Sequence, residues 1–473
     1  MKKYNYLIIG LFLSTLAISN SQAQERTCNC QLAFDDMITK LEDNYIGLKL
    51  NNSGNSIKEY EKRKLATRNF SAKTKAEDCT GVLQQFLSQL NDGHLFVFEQ
   101  PDYSANELAK YRGIIQATKI DLNRIDGKDF AEDLNSITGK WTDGISEIVV
   151  IKEGKLFNAY ILHTTDSNMS PGEIKASFKQ SKEGFTGVLY SYHYAPKYIQ
   201  GGLFRESTLL NLGGGVIWRK LNANKPSGNE MINQENVAFP VIRKIDEKNV
   251  LFSIPSFLIN AEKFNTLLTN NIDILSNAEN LIFDIRGNTG GDALYMAFID
   301  AYADRPLPAS QGLILASAET EKYFEQQAKY APQIFQPVVD SIKKNMGKIV
   351  DGPAYPEKIF KPFPTKIKNV AILTDEGCMS AAESFILHSK AASSKVKTFG
   401  RATAGVIDYT SVNVLRLNSG NQKIYFGYPT STLTKKIPAD GYNKTGIIPD
   451  VKIPDKVQDK IKFIIDYYDQ NNK

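Results

Sequence analysis

The sequence predicts a mixed α/β protein in three parts: an N-terminal helical region, an inserted antiparallel β domain and a C-terminal α/β core. Three observations lead there. Phe34, Met37, Ile38, Leu41 and Tyr45 recur at helical spacing. Between 100 and 235, short β runs alternate with turns, as in an antiparallel sheet. Beyond 236, short apolar runs alternate with helical segments, the pattern of a sheet with crossover helices. The expected boundaries are a leader at 1–23, the helical region at 24–99, the β domain at 100–235 and the core at 236–473.

The leader has the form of a signal peptide. Lys2 and Lys3 supply the charged start, residues 6–18 an apolar stretch, and Ser21-Gln22-Ala23 a small-x-small cleavage site. The apolar stretch is too short for a membrane span. Export to the periplasm or medium is therefore expected, with no stable membrane insertion. The formal charge of +5 falls to +3 once Lys2 and Lys3 are removed, too little and too dispersed for a nucleic-acid partner. Export also permits disulfides. Of the four cysteines, Cys28 and Cys30 are too close to pair with each other, so a bridge from one of them to Cys79 is expected. Cys28-x-Cys30 has no nearby histidine and makes a poor zinc site; no metal and no cofactor is expected.

In the helical region a second helix is predicted over 79–90, with Val82, Leu83, Phe86 and Leu90 on one face. Asn91-Asp92-Gly93 ends it in a turn, and His94 follows. In the β domain the runs 148–151, 156–162 and 187–194 read as strands. The run 213–215 is all glycine, but no Gly-Lys-Ser/Thr ending makes it a phosphate loop. Gly139-Lys140-Trp141 resembles the opening of lipocalin-like barrels. In the core, strands are predicted at 250–254, 281–285, 370–373 and 396–399. Helices are predicted at 264–275, 292–302, 380–392 and 455–468.

The chemistry concentrates in the core. Ser380 follows the strand 370–373 and the turn Asp375-Glu376-Gly377, at the start of a helix. Free N–H groups and the helix dipole favour negative charge there, which suits a nucleophile and its oxyanion. Ser380-x-x-Glu383 is equally an ordinary capping box. Asp284-Ile285-Arg286-Gly287-Asn288-Thr289-Gly290-Gly291 closes the strand 281–285, and its glycines can expose consecutive N–H groups. Gly400-Arg401-Ala402-Thr403-Ala404-Gly405 closes the strand 396–399.

These motifs, in order and followed by Gly446-Ile447-Ile448-Pro449-Asp450, resemble the C-terminal-processing (tail-specific) serine peptidases, the group that includes the tricorn core protease. The resemblance covers roughly 240–455 plus the His94 region. It implies an α/β serine-peptidase core and a peptide or protein substrate. It makes Ser380 the nucleophile, gives the oxyanion hole to the N–H groups of Ala381 and of Gly290 or Gly291, and adds Glu383, Thr403 and Gly405 as motif support. Family members with a serine–lysine dyad carry lysine where this chain has Val406. The tricorn-like branch takes histidine from an Asp-Gly-His-like turn, which Asp92-Gly93-His94 matches. His388 lies about two helical turns beyond Ser380, too far to reach it, and His163 and His193 fall in the β domain. The branch's glutamate corresponds to Asn443; Asn443 or nearby Asp440 is expected behind the imidazole. No PDZ signature occurs between 100 and 235, and the β domain there handles substrate or is structural. The expectation is an exported serine endopeptidase. The alternative is a catalytically weak or inactive peptide- or lipid-binding protein on the same fold.

Overall fold

A computed structural model describes residues 28–471, apart from 52–54, 101–102, 126–135, 182–183, 192–193, 206, 213–215, 222–238, 362–363, 421 and 444. The leader 1–23, His193 and the glycine run 213–215 lie outside the described residues. The chain forms two compact units.

The first unit joins residues up to 102 with 306–359 and 405–446. Its five-stranded sheet has the order Phe96–Glu99, Ile424–Thr432, Ser310–Leu315, Ile349–Tyr355, and Tyr409–Arg416 also pairs with Ile424–Thr432. The helix Cys30–Asn44 buries Phe34, Met37, Ile38 and Leu41, the stripe its spacing predicts, and Ala76–Ser88 adds Leu83 and Phe86. These side chains share one core with Phe426 and Tyr428 of the sheet. A disulfide joins Cys30 to Cys79 across the two helices, and Cys28 is free. Residues 306–359 and 405–446, expected within the C-terminal core, instead pack with the N-terminal helices.

The second unit holds 103–305, 360–404 and 447–473. Eight antiparallel strands from Gly139–Thr142 to Ile217–Lys220 close into a barrel through the pairs Trp141↔Lys220 and Thr142↔Arg219. The period of two divides each strand. In Ser146–Glu153, Ile148 and Val150 face the filled interior with Trp141, Phe178 and Trp218. Val149 faces outward, in a cluster with Ile115 of the helix Ala105–Ala117.

The same unit carries a six-stranded sheet in the order Val241–Lys244, Asn249–Ser253, Asn280–Asp284, Asn369–Thr374, Val396–Gly400, Val451–Lys452. All its pairings are parallel except that of the first strand. Strands covered on both faces read as continuous apolar runs, as 281–283 and 370–373 do. Leu251, Ile282 and Leu373 pack with Ile464 and Tyr468 of the helix Lys460–Asn471. On the opposite face Phe283 stacks with Phe298, Phe252 packs against both, and Phe385 of the helix Ala381–Ala392 joins them. The helix expected at 292–302 is instead two 3-10 turns, Leu294–Ala297 and Ile299–Ala301. Tyr295 and Phe298, three residues apart, share a face in a helix of three residues per turn as well as in an α-helix. Among the described residues no helix is long and apolar enough to cross a membrane.

Candidate active site

In the second unit the loops after three parallel strands converge, where open α/β sheets bind their ligands. Ser380 sits between the strand Asn369–Thr374 and the helix Ala381–Ala392 with φ +53° and ψ −117°, a backbone region costly for a residue with a side chain. Its N–H donates to Glu383 Oε2 at 3.1 Å, the glutamate half of the capping box. Glu383 is fully buried. Its other oxygen accepts from Thr403 Oγ1 at 2.5 Å, and Thr403 Oγ1 accepts from the Ile447 N–H at 2.7 Å. Three motifs far apart in sequence thus form one buried chain that ends on the backbone of Ser380.

A second set of bonds ties the Ser380 turn to the glycine turn. Asp375 Oδ1 accepts from the Gly287 N–H at 2.8 Å and the Gly377 N–H at 3.0 Å. The Met379 N–H donates to Asn288 O at 3.0 Å, and the Cys378 thiol to Ile285 O at 3.1 Å. The Gly290 N–H donates to Asn288 Oδ1 at 2.8 Å. Gly290 has φ +99°, and a Cβ there would stand 3.0 Å from Ala381 N and from Ser380 Cβ. Only glycine lets the turn lie this close to the Ser380–Ala381 peptide. Gly291 bridges to Phe257 through bonds that use the Gly290 carbonyl and the Asp292 N–H, so its own N–H is not spent on that bridge.

Burial pushes the Asp375 carboxyl up to about 6, against the pull of its two N–H donors. Burial would also raise Asp284, but the Arg205 and Arg286 guanidiniums outweigh it and bring that carboxyl down to about 2. Burial drives the Cys378 thiol far up, which removes it as a thiolate nucleophile.

His94 belongs to the first unit. The buried Asp92 organises its turn, accepting from the His94 N–H at 2.9 Å and from Tyr45 Oη at 2.8 Å. Burial raises the Asp92 carboxyl, and His94 opposes the rise. His94 Nδ1 lies 2.7 Å from the Tyr409 carbonyl. A carbonyl only accepts, so Nδ1 carries the proton and Nε2 is the basic nitrogen of the neutral ring. The position behind the imidazole is thus held by Tyr409 O, not by Asn443 or Asp440. Asn443 Nδ2 donates to Asn91 O and its Oδ1 accepts from the Asp408 N–H, each at 3.2 Å. Asp440 is exposed and paired with Lys436. Val406, at the family's lysine position, packs on this turn: a Cβ on Gly93 would meet its Cγ2 at 2.7 Å. His388 lies 3.1 Å from the Tyr295 hydroxyl in the second unit, and His163 is on a barrel strand. Among the described residues no cluster of three or more His, Cys, Asp or Glu side chains is arranged for a metal.

The sequence profile of peptidase family S41 matches residues 250–453, the span of the Ser380, Gly290 and Thr403 loops. The core belongs to peptidase family S41. The chain is a serine-type peptidase. A comparison with curated proteins found no match. Solved structures with some likeness include a lipoprotein from Streptococcus agalactiae, at 12% identity and TM-score 0.41, covering 96% of this chain and 99% of that one. Another is mature CPAF complexed with lactacystin, at 13% and 0.47, covering 93% and 97%. A third is the tricorn protease, at 12% and 0.41, covering 94% of this chain and 37% of that one.

Within this S41 core, Asn288, Asp375 and the Tyr409 carbonyl are residues that sequence reading missed. Asp375-Glu376-Gly377 carried a usable signal, since an aspartate two residues before a glycine commonly caps its own turn. A backbone carbonyl carries none.

Proposed function

We propose that this S41 peptidase is an exported endopeptidase that works through an acyl-enzyme, with Ser380 as nucleophile and His94 as general base. The strained Ser380 backbone, held against a glycine turn, carries the reading, because strain of this kind is kept where function requires it. Ser380 Oγ attacks the scissile carbonyl carbon and its proton passes to His94 Nε2. The carbonyl electron pair moves to oxygen. The Ala381 and Gly291 N–H groups receive it, Gly290 having spent its own on Asn288. Collapse re-forms the carbonyl and breaks the C–N bond, and the leaving amine takes the proton from His94. Water repeats the sequence on the ester and releases Ser380. The fixed Nδ1–H supports His94, since it leaves Nε2 unprotonated in the neutral ring. The leader-like residues 1–23 and the Cys30–Cys79 bridge support export.

One observation favours a catalytically weak peptide- or lipid-binding protein instead: Nδ1 faces a neutral carbonyl, which stabilises imidazolium less than a carboxylate would. A fluorophosphonate probe separates the two. Labelling of mature protein that maps to Ser380 and vanishes in Ser380→Ala supports the peptidase; absence of labelling with intact fold supports the binder.

A further inference from the structure

The barrel sends one hairpin into the loops around Ser380. The strands Ala195–Phe204 and Leu209–Asn211 pair antiparallel, Phe204 opposite Leu209 and Gly202 opposite Asn211. Arg205, at the tip with φ +54°, uses its whole fork on the core. Nε donates to Arg286 O at 2.8 Å, one terminal nitrogen to Ser253 Oγ at 2.6 Å, and the other to Asp284 O at 2.9 Å. Asn211 Nδ2 donates to Gly287 O at 3.1 Å and lies 3.5 Å from Thr289 Oγ1. Phe204 sits where both loops meet. A Cβ on Gly287 would be 2.8 Å from Phe204 Cβ and from Leu209 Cδ2, and one on Gly377 would be 2.5 Å from Phe204 Cε1. Both glycines are needed because the ring fills the space their side chains would take.

We infer that Phe204, Arg205 and Asn211 of the barrel are positioning residues for catalysis, bracing the 284–291 loop so that its N–H groups stay aimed at the oxyanion. The inference rests on the peptidase reading above. The glycine turn has little regular structure of its own, while oxyanion donors must be fixed before the reaction to be effective. The barrel interior is filled, with Trp141 and Trp218 fully buried within it, and close-packed interiors resist deformation. Arg205 also compensates the buried Asp284 carboxylate at the base of the loop. The inserted domain is thus a structural extension of the catalytic loops, whatever else it binds.

The test uses the full mature chain with Phe204→Ala and Arg205→Met. Both tryptophans of the chain lie in the barrel, so their emission reports barrel integrity alone. The expected result is native emission, kcat lower by roughly ten- to a hundredfold, and KM within about twofold, as for loss of a transition-state contact. A second readout needs no activity. Cys378 is buried beneath the same loops, bonded to Ile285 O, and its alkylation, followed by peptide mapping to separate it from Cys28, should speed up at least about tenfold as the loops open. Phe204→Leu should recover most of both signals. If the wild-type protein fails to label at Ser380, the peptidase reading fails, and Cys378 protection still decides whether the brace exists. Unchanged kcat and unchanged Cys378 protection would overturn the inference. If emission shifts in the severe variants, Phe204→Leu and Arg205→Lys are judged by the same criteria; activity lost there only in step with emission also overturns it.

Discussion

The turns that carry Ser380 and His94 are held by different means. The Ser380 turn is strained, at φ +53°, and its position is enforced by bonds that tie it to other loops: Asp375 to the Gly287 N–H, the Met379 N–H to the Asn288 carbonyl, and Glu383 with Thr403 behind it. The His94 turn is organised locally by Asp92, and its ring is aimed by a backbone carbonyl. A nucleophile must be held in a conformation the chain would not choose, so the surroundings over-determine it. An imidazole needs one fixed tautomer, and a single carbonyl supplies that. The first arrangement depends on side chains from several motifs; the second depends on Asp92, on the tight fit of Gly93 against Val406, and on the strand that bears Tyr409 staying in register.

The sharpest way to break this comparison is to delete the reacting groups. Ser380→Ala and His94→Ala should each lower kcat by at least about ten-thousand-fold, the scale for members of a unit that acts together. Melting temperatures should show that the folds survive. An active His94→Ala would remove the histidine turn from the chemistry altogether. The next effect is structural. Reducing the Cys30–Cys79 bridge, which spans 49 residues, should destabilise the first unit by about 4 kcal/mol on the chain-entropy account. Helical circular dichroism should fall at lower denaturant while tryptophan emission, confined to the barrel, holds.

Asp375 gives a pH test of the nucleophile side. Its folded value of about 6 lies above the ordinary aspartate value, so the fold favours the neutral carboxyl. That contribution is complete below about pH 4 and is lost as pH rises through 6. Asp375→Asn keeps an acceptor for the Gly287 and Gly377 N–H groups and cannot ionise. Relative to wild type it should gain stability between pH 4 and 7, by on the order of 2–3 kcal/mol at about 1.4 kcal/mol per unit. A flat difference between the two proteins across that range would show that Asp375 ionises freely. Two smaller effects follow. Ser380→Gly should stabilise the inactive protein by about 1 kcal/mol through relief of its positive φ, whereas an ordinary N-cap serine loses a few tenths on the same change. Asn443→Ala should cost less than about tenfold in kcat, because Tyr409 O still fixes the tautomer.

The sequence showed the strands at 250–254, 281–285, 370–373 and 396–399 to within a residue or so; the first three are buried on both faces and cannot avoid being apolar. It also located the turns that bear Ser380, Gly290 and Thr403, because glycine and a buried glutamate are irreplaceable there. The strands Ser310–Leu315 and Ile349–Tyr355 went unread. They are amphipathic, and their membership of the N-terminal unit depends on pairing with segments remote in sequence. The aromatic spacing of Tyr295, Phe298 and Tyr302 mimicked an α-helix. The brace from Arg205 left no local signal, since its acceptors are two backbone carbonyls and a serine.

The strand Phe96–Glu99 pairs with Ile424–Thr432. A ribosome adding roughly 5–20 residues each second takes on the order of 16–65 s to cross the roughly 325 residues between them. Throughout that interval the emerging helices present Phe34, Met37 and Leu41 with no sheet to lie on, and Phe96–Glu99 waits as an unpaired edge. Once this segment reaches an oxidising compartment the Cys30–Cys79 link can close before the sheet is complete, which shortens the wandering of the early segment without completing its fold. Such a nascent chain stays threadable and exposed for most of its synthesis, and its late-arriving strand, not its first-made helices, sets the moment at which the histidine half of the molecule becomes a solid object.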